Sequence, residues 1–326
     1  MTLEAEVDDA ALGSLVREHS LELGFDDARV VRADLGTPLA EQMRAALGEK
    51  RLGPLDWLVQ SIETRADLHL RYPGARTVLV AVQSYFCGHH EEHASESELR
   101  QGARVSRYAW GADYHKTIRK KLRKLRLLLL EHRPQAQVWL FNDLDPVNDR
   151  GWAQAAGMGF IGKNGLFIHR ALGSWTFIGG MITDLDLGGA PPQADALATF
   201  CGTCTACIEA CPSGALLSPG KLDVERCLTT WNIEKPHDDR ADESHLLGHG
   251  WAAGCDVCQE VCPWNRFEKR TEEKRYQPRP GHVVLTPNAI PEDLRGSPMS
   301  RPGREGLEKN VARALGGQGA KKARTT

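Results

Sequence analysis

What this sequence lacks narrows the reading first. No apolar stretch approaches the roughly 20 residues a bilayer span takes, and the run Leu127 to Leu130 is short and lies between charged residues. Net charge is nearly missing: 41 Lys and Arg against 43 Asp and Glu leave −2, so whole-molecule charge points to no partner. The acidic start has no basic region or twin arginine ahead of an apolar segment, so no export signal is expected and the cytoplasm is the expected compartment. With 41% hydrophobic and 26% charged residues, collagen-like, disordered and membrane-embedded classes are excluded. Cysteine is almost absent from the first 200 residues: of nine, Cys87 alone precedes Cys201, and the other eight fall between Cys201 and Cys262. No repeat is present beyond a duplicated cysteine motif. The 326 residues allow two or three domains at roughly 100–200 residues each.

What is present begins as alternating helix and strand. Residues 10–23 carry apolar side chains at helical spacing behind an Asp pair, with Gly24 as a stop. Strands are predicted at 29–31, 78–86, 138–142 and 175–183, the second apolar enough to be covered on both faces. Helices over 114–133 and 151–156 lie between them, which predicts an α/β layer architecture. The small, Pro-containing stretch 188–199 reads as a linker, giving a first domain over 1–190, a cysteine-rich domain over 191–275 and a C-terminal extension over 276–326 with a short helix at 304–315 and a disordered basic tail.

Cys201-x2-Cys204-x2-Cys207-x3-Cys211-Pro212 is the run that two-cluster ferredoxins use for iron–sulfur ligation. Cys255-x2-Cys258-x3-Cys262-Pro263 repeats it, with Cys227 as the missing member. In the crossed pattern of that motif, Cys201, Cys204, Cys207 and Cys262 hold one [4Fe–4S] cluster, and Cys211, Cys227, Cys255 and Cys258 the other. Structural zinc is the bland alternative, but zinc ribbons lack the x3-Cys-Pro extension. Cys87 reads as a small core residue. Gly157-x-Gly159-x-x-Gly162 fits a dinucleotide fingerprint formally but follows a helical stretch, without the strand-to-helix context that phosphate binding needs.

The segments 106–116 (SRYAWGADYHK), 143–150 (DLDPVNDR), 156–164 (AGMGFIGKN) and 173–175 (GSW), the two cysteine runs and residues 295–316 together resemble epoxyqueuosine reductase, a cobalamin-dependent iron–sulfur enzyme of tRNA modification. The resemblance runs in order from about 65 to 316. It implies a cobalamin-binding α/β domain, an α+β ferredoxin-like domain with two [4Fe–4S] clusters, a short helical extension without a HEAT-like repeat, and a monomer. The activity implied is reduction of epoxyqueuosine at the tRNA wobble position to queuosine, with an external low-potential electron donor. The family's proton donor maps onto Asp143, and its cobalamin contacts onto Arg65, Ser106, Asp143, Phe167, His169, Ile178 and Thr229.

The need for an acid is chemical: opening an epoxide expels an alkoxide, a poor leaving group unless protonated, and a general acid contributes roughly 10²–10⁴-fold. A carboxyl in an apolar pocket stays protonated closer to neutrality. Asp145, before Pro146, reads as a turn residue, and Asp149 as one half of an exposed pair with Arg150. Seven bases between Lys116 and Arg126 form a solvated stripe opposite Ile118, Leu122, Leu125 and Leu129, a candidate for tRNA phosphates. Trp110 and Tyr114 are expected in the core. A cobalamin-dependent dehalogenase and a pure electron carrier are the competing functions; the dehalogenase lacks its signal here, and a carrier leaves roughly 200 upstream residues unexplained.

Overall fold

The computed structural model describes residues 8–33, 40–49, 51–192, 200–241, 244, 246–266 and 268–316. The tail beyond 316 and most of the expected linker lie outside these residues. The strands are β1 (Asp27–Arg32), β2 (Thr77–Ser84), β3 (Ala103–Val105), β4 (Val138–Phe141), β5 (Gly159–Ile161), β6 (Phe167–His169), β7 (Thr176–Thr183), β8 (Leu216–Ser218), β9 (Lys221–Leu222), β10 (Trp251–Ala253) and β11 (Val284–Leu285). The helices are α1 (Asp9–Glu22), α2 (Ala40–Gly48), α3 (Asp56–Ala66), α4 (His90–His93), α5 (Glu96–Gln101), α6 (Tyr114–His132), α7 (Asp149–Ala155), α8 (Ala206–Glu209), α9 (Val257–Glu260) and α10 (Gly303–Ala314).

The main sheet runs β1-β2-β7-β4 with every pairing antiparallel. Side chains alternate across it as the pleat requires. Leu79, Ala81, Phe177 and Met181 face a core built with Leu12 and Val16 of α1 and Ile118, Leu122, Leu125 and Leu129 of α6. Val78, Val80, Val82, Ile178 and Ile182 face a second core with Phe141, Trp152 of α7 and Met158. Both faces are covered, which explains why β2 reads as an unbroken apolar run and is buried throughout. The four α6 residues are fully buried, so truncating one, Leu122→Ala for example, costs about 2–5 kcal/mol. Gly180 of β7 has a packing reason: a Cβ there would stand 2.0 Å from the Leu79 carbonyl oxygen and 2.6 Å from the Phe141 ring.

Asp8 caps α1 by accepting from the Ala11 N–H at 2.7 Å, and Gly24 ends it at φ +85°. The stretch 157–162 leads into the β5–β6 hairpin and not into a helix, as its residue types suggested. A third core draws on distant stretches of chain. β3 pairs in parallel with β10 and antiparallel with β11, and Cys87, Trp110, Ile233, Leu285 and Leu307 of α10 pack together there. Segments that composition separates at about 190 and 275 therefore share one hydrophobic cluster. Cys87 and Trp110 are buried, as expected. No helix among the described residues is long and apolar enough to cross a membrane.

Candidate active site

Between the end of β4, the start of α6, β7 and the cysteine loops lies a cavity of about 960 Å³, at the upper end of the roughly 300–1,000 Å³ usual for small-molecule sites. Tyr85, Phe167, Phe177 and Ile178 line it from the sheet half, and Leu216, Leu228 and Ile233 from the cysteine half. Arg65, Ser106, Asp143 and Thr229 reach it too, so all but one of the implied cobalamin contacts converge. His169 is the exception: it lies outside the lining, with Nε2 3.3 Å from Asp27 Oδ2. Burial opposes charge on Asp27, but His169 and Arg29 outweigh it and lower its pKa, which draws the imidazole to β1.

The loop after β4 explains why Asp143 faces the cavity. Asp145 Oδ2 accepts from the Asn142 N–H at 3.0 Å, Asn142 Oδ1 accepts from the Leu144 N–H at 3.2 Å, and Arg119 donates to Asp145 Oδ2 at 2.5 Å. Asp145 is thus the turn residue expected, and the turn presents Asp143, whose side chain is 44% exposed. Tyr114 donates its hydroxyl to Asp143 Oδ2 at 2.5 Å, and His115 Nε2 stands 2.9 Å from Asp143 Oδ1. The other imidazole nitrogen, Nδ1, is 2.7 Å from Oδ1 of Asp113, which also caps α6. Burial works against a charged His115, but hydrogen bonds to Asp113 and Asp143 raise its pKa to about 9.

Sequence reasoning placed Tyr114 in the core and assigned His115 nothing. The Tyr114 ring does stack on Phe177 at 3.9 Å, while its hydroxyl belongs to the cavity. The available signal was an Asp N-cap followed by Tyr and His in the first helical turn, which reads as capping unless the Asp143 loop is known to cross it. Asp149 is a correction. It is no exposed partner of Arg150 but a half-buried cavity residue, its pKa raised by burial against the pull of Arg150. Arg150 instead sends Nη1 to the Gly165 carbonyl at 2.5 Å.

All nine cysteines are unpaired by disulfides. Burial raises the thiol pKa of Cys207 and of Cys262, and each is pushed further by Cys201 and Cys204. Burial likewise raises Cys227, Cys255 and Cys258, with added repulsion within the group that includes Cys211. Cys262 senses Cys201 and Cys204, as the crossed grouping expects, while Cys258 also senses Cys207 of the other quartet. Such sets resist ionisation alone, and iron offsets their mutual repulsion, so four soft sulfur donors fit a cluster. Among the described residues no group of three His, Cys, Asp or Glu side chains is placed to hold a single metal ion. Cys211, Cys227, Cys255 and Cys258 line the cavity; the other quartet does not.

Two devices tie the cysteine loops to the sheet half. Asp256, between Cys255 and Cys258, is fully buried and accepts from Ser106 Oγ, from the Arg107 N–H at 2.8 Å and from Arg107 Nη1 at 2.9 Å. The Ser106 hydroxyl is therefore engaged, and its N–H donates to the Ala253 carbonyl at 2.8 Å while its carbonyl accepts from the Ala109 N–H at 2.9 Å, which leaves Cβ to meet a ligand. In the β5–β6 turn, Lys163 Nζ donates to the carbonyls of Gly202 and Cys204 at 2.7 and 2.9 Å, and Asn164 Nδ2 to that of Cys258 at 3.3 Å.

Known proteins match this arrangement. The family model described as "Epoxyqueuosine reductase QueG, DUF1730" matches residues 65–143, and that described as "4Fe-4S double cluster binding domain" matches 200–265. The epoxyqueuosine reductase of Gloeobacter violaceus is 33% identical over 324 residues, covering 95% of this chain and 98% of its own. A solved Bacillus subtilis epoxyqueuosine reductase, with its catalytic loop swung out of the active site, is similar at TM-score 0.80 and 25% identity over 94% of this chain and 82% of that one. Another epoxyqueuosine reductase, solved with an epoxyqueuosine-modified tRNA-Tyr stem loop, shares the fold at TM-score 0.79 and 24% identity over the same shares of 94% and 82%. A near full-length match, the double-cluster segment and the common fold agree: the chain belongs to the epoxyqueuosine reductase family of oxidoreductases.

Proposed function

We propose that this chain reduces epoxyqueuosine at the wobble position of tRNA to queuosine, with cobalamin in the cavity, a [4Fe–4S] cluster on each cysteine quartet and Asp143 as proton donor. The observation that carries this reading is that one cavity is lined both by Asp143 and by the thiols of Cys211, Cys227, Cys255 and Cys258. A source of electrons and a source of protons thus face one space. The names of the relatives support the substrate, and the family member solved with a modified stem loop supports tRNA as the partner. On this reading 1–190 carries the cobalamin, 191–275 the clusters and 276–326 an extension that also lines the cavity through Ser297, Pro298, Ser300 and Arg301. The protein works as a monomer and takes electrons from an external low-potential donor.

The reaction converts an epoxide to an alkene and water: both C–O bonds break, and two electrons and two protons enter. Bound cobalamin supplies the two-electron chemistry at carbon that clusters passing single electrons do not. Arg65, Ser106, Phe167, Ile178 and Thr229 would hold it. Arg65 is fixed for that task by Nη1 on the Val147 carbonyl at 2.9 Å and Nε on Ser61 Oγ at 3.0 Å.

The proton side follows from the chain's own groups. His115, with a pKa near 9, keeps a proton at neutral pH within hydrogen-bond reach of Asp143 Oδ1. Asp143 passes that proton to the departing oxygen and His115 restores it, so the two side chains act as one relay. Asp113 orients the imidazole from the far side. To the apolar pocket expected from sequence this adds a proton held on a neighbouring ring.

Anaerobically prepared protein tests the reading. Expected are about eight iron and eight sulfide per chain, four of each per cube, corrin absorption after adding cobalamin, and queuosine from an epoxyqueuosine-bearing stem loop. Stoichiometric zinc without sulfide, or no corrin binding, contradicts it.

A further inference from the structure

The quartet that avoids the cavity, Cys201, Cys204, Cys207 and Cys262, is bordered by a different kind of surface. Phe200, directly before Cys201, is 52% exposed. Its ring meets Phe160 at 5.2 Å, and Phe160 meets Trp264 at 5.1 Å, two residues beyond Cys262. Val261 is exposed as well. Cations surround this aromatic patch. The Arg170 guanidinium lies 5.3 Å over the Phe200 ring, Lys163 binds the carbonyls of Gly202 and Cys204, and exposed Arg266 donates Nε to the Pro263 carbonyl at 3.0 Å. In these contacts Lys163 and Arg170 meet two neutral carbonyls and a ring, and among the described residues neither forms an ion pair with a carboxylate. Between Cys201 and Cys211 the one acid is Glu209.

Resting on the reading that this quartet holds a cluster, we propose that the face formed by Phe200, Val261, Lys163, Arg170 and Arg266 is the docking site of a small acidic protein that carries single electrons. Three observations fix the kind of partner. The reaction consumes electrons that the chain does not generate, and the other quartet is turned inward to the cavity, so electrons arrive on this side. Exposed aromatic and aliphatic side chains ringed by cations match an interface with a desolvated centre and a charged rim. In a chain of net charge −2, a local positive face steers an acidic partner without attracting one to the rest of the surface. The step is one-electron transfer: the carrier is oxidised, the cluster reduced, and no bond forms or breaks.

The test is stopped-flow reduction of the clusters by a reduced plant-type ferredoxin, followed as loss of cluster absorbance, in wild type, Arg170→Glu, Arg266→Glu and the double variant. Methyl viologen radical serves as a small reductant without a docking surface. The double variant is expected to react with ferredoxin about tenfold more slowly or worse at low salt, with a flattened salt dependence, and normally with methyl viologen. An unchanged ferredoxin rate overturns the proposal, as does equal slowing with both reductants, which would mean a disturbed cluster. Wild-type protein lacking acid-labile sulfide removes the cluster reading and this proposal together; clusters with unchanged ferredoxin rates remove this proposal alone.

Discussion

The two cysteine quartets come from almost interchangeable sequence runs, yet they occupy opposite situations. Cys211, Cys227, Cys255 and Cys258 line the cavity with Asp143, and their loop is pinned by the buried Arg107–Asp256 pair. Cys201, Cys204, Cys207 and Cys262 stand beside an exposed phenylalanine and are held by Lys163 through backbone carbonyls. A ligand motif specifies what binds, and the tertiary setting specifies what the bound group does. Removing one partner of a buried ion pair strands the other charge at about 3–5 kcal/mol, so the inner loop is held rigidly. The outer loop has looser support and more solvent.

Breaking each quartet in turn probes that contrast most severely. Cys258→Ser should abolish turnover with every reductant, because no cluster then faces the cavity. Cys204→Ser should abolish turnover driven by a protein donor but leave some with a small low-potential reductant that can reach the inner cluster. Equal behaviour of the two variants would erase the distinction. Cluster spectra sharpen it: Cys262→Ser should damage the cluster shared with Cys201 and spare the one shared with its sequence neighbours Cys255 and Cys258, and the reverse pattern would undo the crossed assignment.

A smaller effect is expected on the cavity's proton side, which the outer quartet never touches. His115→Gln should lower turnover about tenfold to a hundredfold, with stem-loop affinity little changed. The pH dependence has a definite sign. The folded pKa of about 9 lies above the ordinary 6.5, so the stabilisation that charged His115 gives its two carboxylates is complete below about 6.5 and is lost as pH rises through 9. Wild-type turnover should fall along an alkaline limb near pH 9, and His115→Gln should lack it. An unaltered limb in the variant would assign it to another group.

The smallest effect concerns RNA binding, away from both clusters. The stripe on α6 is partly committed within the protein, Arg119 to Asp145 and Lys121 to Glu273 at 2.9 Å, while Lys120, Arg123 and Lys124 are exposed. Changing these three to Gln should weaken stem-loop binding and flatten the log–log salt slope by about 0.7–0.9 per lost phosphate contact, with cluster spectra intact. An unchanged slope would make the stripe a solvated face only.

Much of this was legible because local rules applied. Periodicity located α1, α6, β2, β4 and β7, and the Cys-Pro runs marked the ligand loops, since those features depend on near neighbours in the chain. The pairing of β3 with both β10 and β11 was not legible, because three-residue strands carry little periodicity and their partners lie more than 140 residues on. The same holds for the site. Asp143 and the cysteines were found through family motifs. The coupling of Asp113, His115 and Asp143 depends on the α6 N-terminus meeting the loop after β4, and the contact of His169 with Asp27, 142 residues earlier, likewise joins distant stretches of chain. Asp149 looked like an exposed pair because Arg150 follows it, whereas its carboxylate is half-buried in the cavity lining and the Arg150 guanidinium is taken by the Gly165 carbonyl.

The most direct test of a cavity joining electrons to protons is a single anaerobic turnover of pre-reduced protein on an epoxyqueuosine-bearing stem loop, comparing wild type with Asp143→Asn and Asp145→Asn. Asn at 143 is nearly isosteric but has no carboxyl proton, so that variant should bind cobalamin and stem loop normally and form queuosine about 10²-fold more slowly or worse. Asp145→Asn keeps an oxygen for the Asn142 N–H and should retain most activity. Normal turnover by Asp143→Asn would contradict the account, and a dead Asp145→Asn beside it would move the donor two residues along the same loop.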